Sequence, residues 1–397
     1  MASNYNITDA SVANNFKIKY DDKSLNTYNG KVATLARANK SFNFVGKQRE
    51  MDVPTGFQGG AGSGSLPRAN RGIYVKPIVT RKKQYCVCEV DRETIYAAKD
   101  EGAFVDSMAE TVKKTVEKFN WNIQRQLQNS LVNGSLGTVE TATLVSGVTW
   151  DLVISAATWK VANWEIRDFV NIESGNTDLF EITSVTPSSR TVRVVRQGGG
   201  QVPAVSDVVF LQGSENNDIQ SLVGVLSASS STLYGVDVGY RWQAAQVNAS
   251  SAGISSALMD QTALTIDANT GLTPNLGICG HTQFRKMLAL QEDNKRYPLG
   301  PKAENLVGKI SFSAVEYYTV QGPIPVIVDR FCDDSIFEFV NDNYFDLLHA
   351  PGMGWMDDEG FVFVRKEDDD AYSARYGAYM NSYIPPSPHG YLYGLAT

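Results

Sequence analysis

One stretch dictates more about this chain than any other: Val105, Met108, Val112, Val116, Phe119, Ile123, Leu127 and Leu131 recur every three or four residues. Apolar residues at that period share one face of a helix, whose turn holds 3.6 residues. Lys113, Lys114, Glu117, Lys118 and Gln124 fall off the stripe, and Asn133-Gly134 supplies a stop. The spacing therefore predicts a helix from about 105 to 131, about 40 Å long at roughly 1.5 Å per residue. That is more than twice the mean globular length. A helix so long with a single stripe is a spine laid across one sheet.

What precedes the spine has little apolar content of its own. Residues 1–40 are polar and rich in asparagine (Asn4, Asn6, Asn14, Asn15, Asn26, Asn29), which reads as an arm that cannot order alone. Between 41 and 84, Phe42 and Phe44 alternate with polar residues. A break at Pro54 follows, then Gly56, Gly59, Gly60, Gly62 and Gly64, and Ile73, Val75 and Ile78 resume the alternation. Two extended runs around a glycine-rich tip predict a long β-hairpin, marginal without a neighbour to lie on. A strand at 85–90 then leads into the spine, so 85–138 forms one unit.

After the spine the period falls to two. Trp150, Leu152 and Ile154, then Phe180 and Ile182, Val192 and Val194, and the run 208–211 alternate between turns at 174–176, 187–189 and 198–200. Short strands at this spacing predict a small β-barrel or sandwich inserted over 139–216. Residues 217–350 read as mixed α/β, with helices over 255–268 and 282–290 and strands over 276–279, 310–320, 325–329 and 336–340. Residues 351–397 return to strand character (361–364 and 372–384) before Pro385-Pro386 and a tail. The fold class is α+β.

Composition narrows function by exclusion. The 397 residues carry 36 Lys+Arg against 43 Asp+Glu, a net charge of −7. Tight sequence-independent nucleic-acid binding needs clustered cations that release counterions, so this acidic chain is not built for it. No apolar run approaches the roughly 18 residues that span a bilayer, and the first residues lack a secretory signal. Four cysteines in so long a chain are no disulfide framework. Cys86 and Cys88 share a strand face, and with Cys279, Cys332 and three histidines they do not match zinc spacing, so a reduced, structural reading from a cytoplasmic origin stands.

Motifs for chemistry are sparse. His281, before a helix, is read as a first-turn residue or, in the alternative, as a hydrolase base; no G-x-S-x-G or H-E-x-x-H accompanies it. The glycines at 59–64 and 198–200 lack a following G-K-[ST] and read as flexible tips. Two acidic clusters, Asp357-Asp358-Glu359 and Glu367-Asp368-Asp369-Asp370, do not space their carboxylates as a calcium loop does. They are either ordinary surface charge or partners for the basic residues of the hairpin region, Lys47, Arg49, Arg68, Arg71, Arg81, Lys82 and Lys83, on another copy of the chain. These fourteen residues are the candidate inter-subunit contacts. Catalytic, cofactor-binding and metal residues are expected to be none.

The order of parts (polar arm, long hairpin, spine helix, β-insert, mixed α/β region, closing strands) resembles the major capsid proteins of tailed bacteriophages, the Hong Kong 97-like fold. Ser221-Leu-Val-Gly-Val-Leu with Tyr234-Gly235, and the ending Arg375-Tyr-Gly-Ala-Tyr-Met-Asn-Ser-Tyr-Ile-Pro-Pro with Gly390-Tyr-Leu-Tyr-Gly-Leu, are similar to that family. The resemblance implies a peripheral domain (85–138, completed by 351–397), an axial domain (217–350) and an extra β-domain such as some members carry. It further implies a virion shell of hexamers and pentamers enclosing double-stranded DNA, assembled in the bacterial cytoplasm. Its partners would be copies of itself, a separate scaffolding protein, a portal and a decoration protein, with no membrane and no cofactor. The readings kept beside it are another virion protein (tail tube or decoration) and the hydrolase.

Overall fold

The computed structural model describes residues 33–42, 44–56, 60–61, 64, 72–91, 107–173, 175–229, 232–237, 239, 241–293, 315–319, 322–350, 354–356, 362–366 and 370–397. Residues 1–32 of the expected arm (1–40), most of the hairpin tip, all of 357–359 and all of 367–370 but Asp370 lie outside them.

The spine is an α-helix over Ser107–Leu127, about 32 Å long. It ends six residues before the expected Asn133-Gly134 stop. That pair belongs instead to a short 3-10 turn, with Asn133 at φ 59°. Phe119, Ile123 and Leu127 are buried against Tyr376, Ala378 and Met380 of a first sheet. That sheet is organised around the long strand Ala371–Tyr383. Lys82–Asp91 pairs antiparallel with most of its length, while Asp346–His349, Gly354–Trp355 and Phe363–Arg365 pair with its other edge. Alternation along Lys82–Asp91 turns Gln84, Cys86, Cys88 and Val90 toward the helix and leaves Lys83, Tyr85, Val87 and Glu89 exposed. The second half of the spine departs from a one-sided helix: Gln124, Arg125, Gln126 and Gln128 are as buried as Leu127. Gln124 does not face water, because residues 33–44 and a second sheet cover that side.

The second sheet orders its strands Ala245–Asn248, Gly390–Tyr393, Phe337–Val340, Leu276–Cys279, Gly322–Val328 and Val315–Thr319. The helix Ser256–Thr270 starts where Ser255 accepts a hydrogen bond from the Leu258 amide and ends at Gly271 in the left-handed region. It and the helix His281–Asp293 supply Met259, Ile266 and Met287 to this sheet's core. Gly390–Tyr393, expected among the closing strands, lies inside the second sheet, parallel to Ala245–Asn248 and antiparallel to Phe337–Val340. The pairing strands accept it because Leu392 alternates inward and is fully buried.

Residues 135–211 form a closed six-stranded barrel. Its order includes Phe169–Ile172, a strand not expected from sequence, which closes the barrel between Val208–Leu211 and Phe180–Thr186. Twelve buried apolar side chains, among them Leu152, Ile154, Phe180 and Val194, fill the interior. Ser135 pairs with Phe210, so the chain enters and leaves the barrel side by side.

Candidate assembly interface

The hairpin carries two short antiparallel ladders in one register. Gln48–Glu50 pairs with Ile78–Thr80, and Val53–Thr55 with Ile73–Val75. Partner numbers in both ladders add to 128, which centres the hairpin on residue 64, where Gly64 has φ 111°. Its base is buried most deeply, while Val53 and Val75 of the outer ladder pack partly against the same core. Val79 joins the main core and the Ile78 amide donates to the Tyr234 carbonyl at 2.8 Å. Farther out, Ile73 and Tyr74 are 50% and 58% exposed. A groove of about 1250 Å³ separates this part from Trp242, Ala268 and Leu272 of the body. A two-stranded ribbon with apolar side chains half exposed beside a groove is marginal without further packing.

Upstream, the expectation of a segment without a core requires correction. Residues 39–41 add a parallel strand beside 346–348, and Leu35, Ala38 and Phe44 are buried in the main core. Thr34 Oγ1 donates to Asp329 at 2.6 Å, and the Leu35 amide donates to Gln124 Oε1 at 2.7 Å. Residues 33–42 and Phe44 are thus docked on the chain's own body.

Of the candidate contacts, Arg68, Arg71, Asp357, Asp358, Glu359, Glu367, Asp368 and Asp369 lie outside the described residues. Lys47 is exposed at the hairpin base, its carbonyl accepting from the Arg81 amide at 3.0 Å. Arg49 lies near Asp346 and Tyr383 and acts electrostatically on both. Arg81 rests its guanidinium 5.2 Å from the Tyr379 ring centroid. Lys82 donates to the Asn216 carbonyl at 2.6 Å, and Lys83 is exposed opposite Tyr379 in the ladder. Asp370 pairs with Arg365 at 3.7 Å, both exposed, an arrangement worth under about 1 kcal/mol. The described basic residues therefore gather where the hairpin joins the first sheet, several already engaged within the chain. Beside them the open face of that sheet presents Tyr85, Val87 and Val364, between 46% and 61% exposed.

His281 is exposed at the start of its helix and lines a cleft of about 750 Å³ with Trp159, Lys160, Arg330 and Asp333. Burial lowers the other two histidines, His349 to about 4 and His389 to about 3. The four cysteines are free thiols, and burial raises Cys86 to about 11 and Cys279 to about 12.

Residues that sequence reading passed over hold the barrel to the body. Lys118 of the spine bonds Asp168 of the barrel at 2.6 Å and sits 3.7 Å from the Trp121 ring. Burial lowers its pKa, opposed by Asp168. Lys160 of the barrel donates to the Phe331 carbonyl at 3.1 Å and lies 4.0 Å from Asp333, while Arg330 reaches Glu165 at 3.9 Å. Burial raises Glu165. Three ion pairs of mixed sense across one junction define a fixed orientation for the barrel. Nothing in local periodicity marks them, since each partner lies more than forty residues away.

Spine helix, first sheet, second sheet and projecting hairpin together make up the Hong Kong 97-like capsid fold. No protein-family model matches the chain, and no curated protein does. Among solved structures, it superposes on the capsid asymmetric unit of cyanophage A-1(L) with a TM-score of 0.61 at 12% identity, covering 98% of this chain and 100% of that one. The capsid of an empty GTA particle gives a TM-score of 0.51 at 9% identity, over 99% of both chains. At such identities the likeness is one of fold. It extends over nearly the whole chain.

Proposed function

We propose that the chain is the structural subunit of an icosahedral shell, assembled from hexamers and pentamers of itself around the double-stranded DNA of a tailed phage. The observation that carries this is the fold likeness to a cyanophage capsid chain, which runs over nearly the whole length of both, together with a two-stranded hairpin that keeps large apolar side chains at its outer ladder half exposed. In this reading the first sheet and spine are the peripheral domain, the second sheet is the axial domain, and the barrel is an added module. The outer hairpin and the open face of the first sheet are neighbour-contacting surfaces, with Lys47, Arg49, Arg68, Arg71, Arg81, Lys82 and Lys83 facing the acidic turns at 357–359 and 367–370 of other copies. Many weak contacts repeated by symmetry close a stable shell without any single strong one. A separate scaffolding protein, a portal and a decoration protein complete the proposed partners, and the virion capsid, built in the bacterial cytoplasm, the proposed location.

The test is expression of the full chain, alone and with the scaffolding protein supplied, read by sedimentation and negative-stain microscopy. Closed particles are expected. Monomers under both conditions would overturn the proposal. Replacing residues 136–210 with a short glycine linker separates it from a tail or decoration role. The paired ends at Ser135 and Phe210 allow closure, and a shell subunit keeps its helical signal, whereas a protein built around the barrel loses its fold.

A further inference from the structure

Where residues 33–42, the spine helix and the second sheet converge, the structure buries two carboxyls with no cation bonded to either among the described residues. Asp329 is surrounded by donors: Thr34 Oγ1 at 2.6 Å, Gln124 Nε2, and the Phe331 amide at 2.9 Å. Three donors suit a carboxylate, which only accepts. Glu338 is placed differently. It is fully buried, and its Oε2 accepts one bond, from Gln128 Nε2 at 3.1 Å. Among the described residues Glu338 Oε1 has no partner, and neither does Gln128 Oε1 on the same amide. Two buried oxygens left over on a carboxyl and an amide that already share one bond call for a proton between them, because an unsatisfied buried acceptor is costly.

We infer that Glu338 is neutral and donates its proton from Oε1 to Gln128 Oε1, so that docking of residues 33–44 depends on that proton. The acid and amide then pair through two bonds. Gln128 Nε2 also reaches Thr34 Oγ1 at 3.1 Å, so the proton fixes the amide that meets Thr34. The chain of contacts runs Glu338, Gln128, Thr34, Asp329, Gln124 and the Leu35 amide.

Among the described residues no other group around Glu338 replaces the proton. Lys160, from the barrel, spends its ammonium on the Phe331 carbonyl and Ser130 and lies near Asp333. Cys279 on one neighbouring strand and Cys332 on the adjoining loop are held as thiols by burial, and Tyr391 on the other neighbouring strand stays a phenol for the same reason. Asp329 adds negative potential. Burial first, and Asp329 with it, lifts Glu338 to about 8, against the bond from Gln128 and the field of Lys160.

The sign follows. In this inference, opening the segment withdraws Thr34 from Gln128 and admits water to Glu338, which then ionises near its ordinary 4.5. The closed state therefore holds a proton that the open state releases, and the opening equilibrium rises about tenfold per pH unit until the closed form itself ionises near 8. Below 4.5 the segment is most firmly docked. The buried histidines, lowered to about 4 and about 3, are neutral over the upper part of this window.

The experiment is amide exchange on the full-length chain between about pH 6 and 9, with each rate divided by its intrinsic chemical rate. Protection at the Leu35, Asn39 and Phe44 amides is expected to fall about tenfold per unit to pH 8 and then level off. In Glu338→Gln, whose amide donates to Gln128 at every pH, that slope is expected to vanish. A flat profile in the unsubstituted chain overturns the inference, and so does an unchanged slope in Glu338→Gln. Should that variant fail to fold, infrared spectroscopy of the unsubstituted chain decides. A protonated-carboxyl band lost with a midpoint near 8 supports the inference, and absence of such a band at pH 7 overturns it.

Discussion

Arg125 offers the sharpest test of how the barrel is tied to the spine. Its side chain is 1% exposed in the helix, and Nη2 lies 3.1 Å from Asp218 Oδ2, where the chain returns from the barrel. The same guanidinium donates to Asn122 Oδ1 at 3.0 and 3.1 Å and to Ser214 at 3.3 Å. Gly134, at φ 82°, lies so close that a Cβ there would sit 2.9 Å from Asp218 Oδ2. Asp218 has no room to turn away. Arg125→Met keeps the aliphatic stem and removes the cation. The carboxylate must then stay buried and unpaired, at about 3–5 kcal/mol, or take a proton. Protonation at pH 7 costs about 4 kcal/mol for a group whose ordinary value is 3.8. At pH 5 the same protonation costs less than about 2 kcal/mol. Urea unfolding should therefore show a loss of about 4 kcal/mol at pH 7 that shrinks to about 2 at pH 5. Adding Asp218→Asn should restore most of it. A loss under about 1 kcal/mol at pH 7, or one independent of pH, would refute the reasoning.

Three further outcomes are expected. Gly277→Ala places a methyl 2.9 Å from Phe337 and 3.1 Å from Val326 in the second sheet, and should cost about 1–3 kcal/mol by thermal unfolding. His389, whose Nδ1 accepts from the Asn341 amide at 3.1 Å, is lowered by burial from 6.5 to about 3. Its stabilisation is complete above 6.5 and is lost as pH falls toward 3, at about 1.4 kcal/mol per unit. His389→Gln should flatten the difference in unfolding free energy between pH 5 and 7. Lys118→Met leaves Asp168 unpaired and should cost about 2–4 kcal/mol, with amide protection falling at the junction around Phe169 and not inside the barrel.

The spine was legible because Val112, Val116, Phe119, Ile123 and Leu127 keep one period over four turns. The strand Leu276–Cys279 was legible as a short apolar run. The barrel showed in its alternation, except at Phe169–Ile172, where Phe169 faces out and a polar Asn171 sits between the inward Val170 and Ile172. Four residues are too few for a periodic signal to stand out. The polar half of the spine was illegible for a different reason. Gln124, Gln126 and Gln128 look like a solvent face until Thr34, Gln84, Asp329 and Glu338 arrive from elsewhere in the chain to bond them. Periodicity reports that a residue is polar, not whether a distant partner will cover it. The same holds for Leu35 and Phe44, whose burial in the main core depends on partners far along the chain.

The position of the final strands carries a consequence for synthesis. Ala371–Tyr383 is the strand on which the first sheet is assembled, and Gly390–Tyr393 joins Ala245–Asn248 to Phe337–Val340 in the second. Neither layer can close while residues 371–393 remain in the ribosome, although the barrel, finished by residue 211, can fold long before. Both sheets thus stay open through synthesis of the barrel and of most of the second sheet, and they close together once residues 371–393 emerge.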